Sequence, residues 1–301
     1  MDKPLVSIIV LNFNSEQKTE MCLESLLKLE YDPINIILVD NSTNINSANY
    51  VKELAKKHSI DFIQLRENKG YAAGNKAGVD LALEKNAKYI LVLNNDTIVD
   101  PSCVSNLVNA MEEDEDIAIC GPILYDLEYQ DNGYRTTTNL QSSGLKINPY
   151  TGRTISNKSD LSLNVSEHPV ISGAALMFRA EIIKSFGFME EEFFLYYEET
   201  DYCYSIKKAC PHLKICTINN AIVWHEPSNN IDEKIYSLYY SHRNKIIFMR
   251  KHFKQTYILF LCFLFFFSIP KKILKTKKIQ FIKTIIKGTI DGLKGNIQER
   301  I

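Results

Sequence analysis

Three apolar runs, Leu5–Leu11, Ile34–Val39 and Tyr89–Leu93, the last continuous and the first two each with one polar residue (Ser7, Asn35), read as strands of a parallel sheet. Helical patterns lie between them. Leu23, Leu26 and Leu27 mark one buried helix face, Val51 to His58 reads as a second helix, and a third reaches about Lys85. Asp61–Leu65 is a short strand. This βαβ spacing implies right-handed crossovers and an α/β, mostly parallel sheet with helices on both faces. Asn14 or Ser15 is expected to cap the first helix, with Gln17 as capping-box partner to Asn14. Asp100-Pro101 predicts a helix start running to about Glu113, and Ile117–Cys120 a short strand closed by a Gly121-Pro122 turn. From about Leu127 to Glu167 the chain is rich in Asn, Ser, Thr and Gly, and loops with short β-pieces are expected. Pro169–Phe178 reads as a strand interrupted at Ser172-Gly173, Ala180–Phe186 as a helix closed by Gly187, and Asp201–Ala209 as another helix. Ile215–Ile218 and Ala221–His225 read as strands.

The strands end in polar residues. Asn12, Asp40 and Asn94-Asn95-Asp96 fall at the carboxyl edge, where open α/β sheets bind ligands. Oxygen-rich tips suit hard cations such as Mg²⁺ or Mn²⁺ held together with a phosphate, although Asn and Asp also favour turns for their own reasons. Glu67-Asn-Lys-Gly-Tyr-Ala-Ala-Gly-Asn75 opens a helix with small residues. Free backbone N–H groups there would suit a phosphate, and close packing on the sheet would call for the same residues. Glu198-Glu199-Thr200-Asp201 follows the aromatic run Phe193–Tyr197, a setting that desolvates a carboxyl and makes it a general base. His225 after Trp224 is a ligand-type residue at a strand end, and equally a residue type that serves in cores.

Charge divides the chain. Arg250 to Ile301 carries twelve Lys or Arg against two acids, a balance of +10, which leaves the first 249 residues at −11 of the formal −1. A basic tail on an acidic body points to an anionic surface. Thirteen uncharged residues, Tyr257–Ile269, are too few for a spanning helix of ~20 residues and suit an interfacial or re-entrant segment. Pro270 is expected to break it, Lys271, Lys272, Lys275, Lys277 and Lys278 follow, and an amphipathic basic helix begins at Ile279. The alternative is a helical hairpin on the body or on a second copy. Phenylalanine-dense runs are not a phosphate-tracking surface, so nucleic acid is not an expected partner. Seven cysteines without a CxxC pair read as reduced, buried thiols. Met1-Asp2-Lys3-Pro4 leads straight into a strand, so no secretory leader is expected, and the sequons at Asn41, Asn157 and Asn164 read as chance. No GxGxxG follows the first strand, which excludes a dinucleotide fingerprint.

Val6–Asn14, Leu38–Ser42, Glu67–Asn75, Leu93–Thr97 and Phe194–Cys203 resemble, in order and spacing, the motifs of the family 2 inverting glycosyltransferases. The likeness covers about residues 5 to 250 and is greatest to the rhamnosyl- or galactosyltransferase-like branch of bacterial surface polysaccharide synthesis. It implies a GT-A fold, a UDP or dTDP sugar donor, a divalent cation (Mn²⁺ or Mg²⁺) and a glycan or lipid-linked acceptor. It places Asn12, Asp40, Asn68, Gly70 and Asn75 around the nucleoside and phosphate, with Asp40 on the base. Asn94 and Asn95 belong to the metal motif ending in Asp96, and His225 completes the metal shell. Glu199 stands where the base is found, with Glu198 and Asp201 flanking it and Glu198 orienting the acceptor. Ser172 and Gly173 lie near donor sugar and acceptor. Two departures stand out: the metal motif begins with Asn94 rather than Asp, and the base is Glu rather than Asp. Asn94 also leaves open a non-catalytic nucleotide-sugar-binding or scaffolding protein of the same fold. The expected organisation is a nucleotide-sugar half (1–125), an acceptor half of the same domain (126–230) and a basic, apolar helical extension (231–301) at the cytoplasmic face of the membrane.

Overall fold

The computed structural model describes residues 3–130, 133–156, 162–227, 235–276 and 279–295. The sequon at Asn157 and the basic residues Lys277 and Lys278 lie outside the described residues. The first half runs β1 (Val6–Asn12), α1 (Glu16–Leu26), β2 (Ile34–Asp40), α2 (Ile45–Lys57), β3 (Asp61–Gln64), α3 (Tyr71–Glu84), β4 (Tyr89–Asn94), β5 (Thr97–Val99) and α4 (Cys103–Glu113). Then come β6 (Ile117–Gln130), β7 (Gly133–Ser142), β8 (Leu145–Ile147), β9 (Thr154–Ser156), β10 (Val165–Glu167), β11 (Ala175–Arg179), α5 (Ala180–Phe186), α6 (Glu198–Ala209) and β12 (Lys214–His225). The chain closes with α7 (Ile235–His252), α8 (Tyr257–Phe263), α9 (Ile269–Thr276) and α10 (Ile279–Lys294).

One sheet runs β10-β12-β6-β11-β4-β1-β2-β3, with β5 added on β12 and β7 on β6. β3, β2, β1 and β4 are mutually parallel, and β11 enters antiparallel between β4 and β6. The apolar runs are buried on both faces because helices cover both: β1 sends Val6, Ile8 and Val10 into one core and Ile9 into the other. The register pairs Asn12 with Asp40 and Leu11 with Asn94, so the polar strand ends share one edge.

Several local expectations are corrected. No side chain caps α1; Asn14 instead bonds Thr43 and the Asn44 backbone, tying the β1 and β2 exits together. Helix α4 starts at Cys103, because Asp100 turns inward to accept from the Ser102 N–H and hydroxyl. β6 continues through Gly121-Pro122 for 14 residues, since pairing with β12 and β7 carries it past the proline. Ser172-Gly173 precedes β11 as a turn rather than interrupting it. The two C-terminal strands are one strand, β12, with an irregularity between Ile218 and Ile222. Pro270 does not end its helix. It sits in the first turn of α9, joined to α8 by a π-helical turn, Leu264–Ser268, and early helical positions tolerate proline.

Candidate active site

At the sheet edge, Asn12 is fully buried. Its amide donates to Asp40 Oδ1 at 2.9 Å and Ser42 Oγ at 2.8 Å, and its oxygen accepts from Thr19 Oγ1 at 2.8 Å. Asn95 donates to Thr19 Oγ1 at 2.8 Å. These two carboxamides lock α1 to the strand ends and do not face outward. Asp40 keeps one buried oxygen, Oδ2, without a hydrogen-bond partner among the described residues. Beside this edge a groove of about 660 Å³ is lined by Ser42, Thr43, Ile45, Gln64, Arg66 and Asn68, among others.

The helix-start reading of Gly70 is corrected here. The Tyr71 N–H donates to the Phe194 carbonyl at 2.8 Å, and Asn68 Oδ1 takes the Gly70 N–H at 2.9 Å. A Cβ on Gly70 would lie 2.3 Å from the Phe194 oxygen, at φ +84°. The small residues therefore serve close packing, and these N–H groups are not offered to a phosphate. Asn68 shapes the loop through Asn41, and Asn75, fully buried, donates to the Tyr71 carbonyl at 3.0 Å.

β12 ends with His225 beside Asp96. His225 Nε2 stands 3.4 Å from Asp96 Oδ1, while Nδ1 lies 2.8 Å from Gln141 Oε1. Burial raises the Asp96 carboxyl. The His225 hydrogen bond and charge, with Lys18 nearby, outweigh that and hold it below the usual range. Among the described residues no cluster of three His, Cys, Asp or Glu side chains forms a complete metal cage. A carboxylate with an imidazole is nevertheless a donor set that fits a divalent cation whose remaining positions go to phosphate oxygens and water. The Asn94 side chain makes no hydrogen bond among the described residues, and its carbonyl accepts from Thr97.

The acidic pair opens α6. Burial, then the Glu199 charge, pushes the Glu198 carboxyl up to about 8, and burial raises Glu199 as well. Glu198 Oε2 is buried without a hydrogen-bond partner among the described residues, and Glu199 Oε1 accepts from Thr200 at 3.0 Å. Ser172-Gly173 reaches this pair: a Cβ on Gly173 would lie 3.4 Å from the Glu199 side chain. Tyr71 donates to the Gly173 carbonyl at 2.5 Å. Its phenol is raised well above the usual value by burial, then by the charges of Glu199, Glu198 and Asp96. Asp201 is corrected. It points to the other side of α6, where Lys251 Nζ at 2.6 Å and His252 Nε2 at 2.8 Å occupy its two oxygens. It fastens α6 to α7 and takes no part in the pair.

Because Glu198 is protonated in the fold far above the ordinary carboxyl range, its contribution to stability is fully present below about pH 4.5 and lost as pH rises to about 8. Glu198→Gln should match the native Tm in acid and exceed it by several degrees in mildly alkaline buffer, read by calorimetry across that window.

Residues whose part in holding the acidic pair was not read from the sequence build this site. Phe194, Tyr196 and Tyr197 have φ of 65°, 69° and 75°, a strained run for bulky side chains. Helix α7 holds it. Asn244 donates to the carbonyls of Phe193, Leu195 and Tyr196 at 2.8–2.9 Å, and Arg243, fully buried, donates to those of Glu192 and Phe193 at 3.0 and 2.9 Å. Phe194 stacks on Tyr240 with centroids 4.8 Å apart. The available signal was an Arg-Asn pair inside an otherwise apolar helical stripe.

A strand edge with a carboxylate–imidazole corner, a desolvated carboxyl pair and a groove beside β2 and β3 is the make-up of a binding and catalytic site on an α/β sheet. The family model for glycosyl transferase family 2 matches residues 7–187, and the chain belongs to that family. The low-salt glycan biosynthesis hexosyltransferase Agl10 of Haloferax volcanii is 23% identical over 96% of this chain and 91% of its own. The dTDP-rhamnosyl transferase RfbF of Shigella flexneri is 26% identical over 95% of each. Among solved structures, GalNAc-T7 with UDP, GalNAc and Mn²⁺ superposes with a TM-score of 0.69 at 12% identity, over 97% of this chain and 56% of that one. The mannosyltransferase PcManGT of Pyrobaculum calidifontis, solved with GDP-Man and Mn²⁺, gives 0.59 at 12% identity, over 98% of this chain and 88% of that one. The fold is GT-A, as the motif resemblance implied.

Proposed function

We propose that this chain transfers a sugar from a UDP or dTDP donor to a glycan or lipid-linked acceptor, with inversion, in cell-surface polysaccharide synthesis. The single observation that carries the reading is the desolvated pair Glu198–Glu199 beside the Ser172-Gly173 turn, to which the Tyr71 hydroxyl is bonded. Glu199 takes the proton of the acceptor hydroxyl as the new bond forms, and Glu198 orients that hydroxyl. One base and one displacement invert the anomeric carbon. Asp40 Oδ2, the unpartnered buried oxygen, accepts the imide N–H of the nucleobase from the adjoining groove. Asp96 and His225 would hold Mn²⁺ or Mg²⁺, which supplies neutralisation of the charge developing on the departing diphosphate. A nucleotide-sugar panel with and without Mn²⁺, read by thermal shift and then by transfer, tests this. The true donor at a hundred times its Kd adds about 2.7 kcal/mol to stability. A donor that binds and is never transferred or hydrolysed would favour the scaffolding alternative.

The tail supports an address at the cytoplasmic face of an anionic membrane. Tyr257–Leu274 forms an 18-residue helix long and apolar enough to cross a membrane by length and composition, five residues longer than the uncharged run alone. Ile258, Leu259, Phe266 and Phe267 are exposed, as is Leu274, next to Lys271 and Lys272. Helix α10 combines both sequence alternatives. Gly288 and Gly292 bring it against the Tyr239 and Arg243 carbonyls of α7, while Ile279, Ile286, Ile290 and Leu293 stay exposed. Deleting the tail would thus uncover α7, and point substitution is the cleaner test. Phe266→Asp with Phe267→Asp should lower binding to anionic vesicles at least tenfold, since each buried Phe contributes about 1.5–3 kcal/mol. Co-sedimentation measures it, and unchanged binding removes the membrane from the reading.

A further inference from the structure

The orientation of the Gln141 side chain can be assigned without ambiguity. Its Nε2 faces Asp126 Oδ1 and the His225 carbonyl, each at 3.1 Å, and both are acceptors. The amide nitrogen must therefore point there, which leaves Oε1 facing His225 Nδ1 at 2.8 Å. An amide oxygen only accepts, so Nδ1 must carry a proton. In the neutral ring the lone pair then sits on Nε2, the nitrogen 3.4 Å from Asp96 Oδ1. A divalent cation between Nε2 and Oδ1 then takes the place of the proton that otherwise joins them.

The surroundings hold this arrangement in place. β12 pairs with β6 so that His225 lies opposite Asp126, and β7 carries Gln141 along the other side of β6. Trp224 Nε1 donates to the Thr137 carbonyl at 3.0 Å, and Thr137 Oγ1 to the Asp126 carbonyl at 2.7 Å, so β12 is tied to β7 and β7 to β6. Asp126 is thus the anchor, Gln141 the relay and His225 the ring whose tautomer is set.

We propose that Gln141 is a positioning residue for the cation site: it fixes His225 as the Nδ1–H tautomer and aims Nε2 at the ion held with Asp96. The inference rests on the divalent-cation reading above. Ligating histidines elsewhere are oriented by such an outer partner, and its loss weakens metal binding by about 10–100-fold.

The test uses Mn²⁺ itself, titrated into the full chain with UDP or dTDP present and followed by electron paramagnetic resonance. Gln141→Leu should bind Mn²⁺ at least tenfold more weakly than the native chain. The pair Gln141→Glu with Asp126→Asn reverses the bond to position 126 and keeps an acceptor on Nδ1, but gives up the bond to the His225 carbonyl, and should recover part of that loss. Equal Mn²⁺ affinity in Gln141→Leu overturns the role of Gln141. No Mn²⁺ uptake by the native chain with either nucleotide instead overturns the cation reading and the inference with it. A second measurement needs no variant to fold. In native protein labelled with ¹⁵N-histidine, the neutral His225 should show a protonated Nδ1 and a bare Nε2, and the opposite tautomer refutes the assignment.

Discussion

Glu199→Gln is expected to lower sugar transfer by about 10²–10⁴-fold, the usual worth of a positioned general base. The amide keeps the shape of the side chain and can still accept from Thr200 Oγ1, so the site should stay assembled. It also removes one of two buried carboxyls that repel each other, so Tm should hold or rise. The loss should therefore fall on kcat, with donor affinity unchanged in a nucleotide-binding assay. Asp201→Asn provides the contrast from the same helix. Its carboxylate is almost fully buried against Lys251 and His252, so its loss should cost about 3–5 kcal/mol of stability. Full activity in Glu199→Gln would remove Glu199 from the chemistry.

Asp96→Ala should lower transfer by about 10²–10³-fold and abolish its response to Mn²⁺. The carboxylate is held ionised by His225 and Lys18 despite burial, which is the state a cation requires. Removing it leaves His225 alone at the corner, and one imidazole does not hold a hard cation. Asn94→Asp would separate charge from geometry, because the half-buried Asn94 side chain at the same tip makes no hydrogen bond among the described residues. Measuring rate against Mn²⁺ concentration in both variants decides the assignment, and an Mn²⁺-dependent Asp96→Ala enzyme would falsify it.

The sheet was legible because its first strands are mostly apolar runs at βαβ spacing, a pattern that leaves few other topologies. Asp96, His225 and the Glu198–Glu199 pair were legible as polar groups at strand ends and after an aromatic run. What sequence could not convey was the direction in which a side chain turns. Asn12, Asn95 and Asn75 looked like ligand-facing amides; Asn12 and Asn95 bond between elements, and Asn75 is buried with its amide on the Tyr71 carbonyl of its own helix. Gly70 looked like a phosphate cradle, and answers instead to the backbone of Phe194, 124 positions away. Asp201 sits two residues from Glu199, and the helical turn of about 200° sends it to the opposite side. Gln141 lay in a stretch that read as loops, because its meaning comes from a β7–β6–β12 pairing that only the folded chain reveals.

The α7 grip on the 193–197 loop carries one more consequence. The family-matching region ends at residue 187, before either carboxyl of the pair. A shortened chain that stops near residue 230 would retain β1 to β12, and the loop that leads into α6 would lose the Asn244 partner of its Phe193, Leu195 and Tyr196 carbonyls. Such a fragment should act as a donor-binding decoy. Because α10 and the exposed apolar helix are joined to the same α7, anything that pulls the tail out of register also reaches the base.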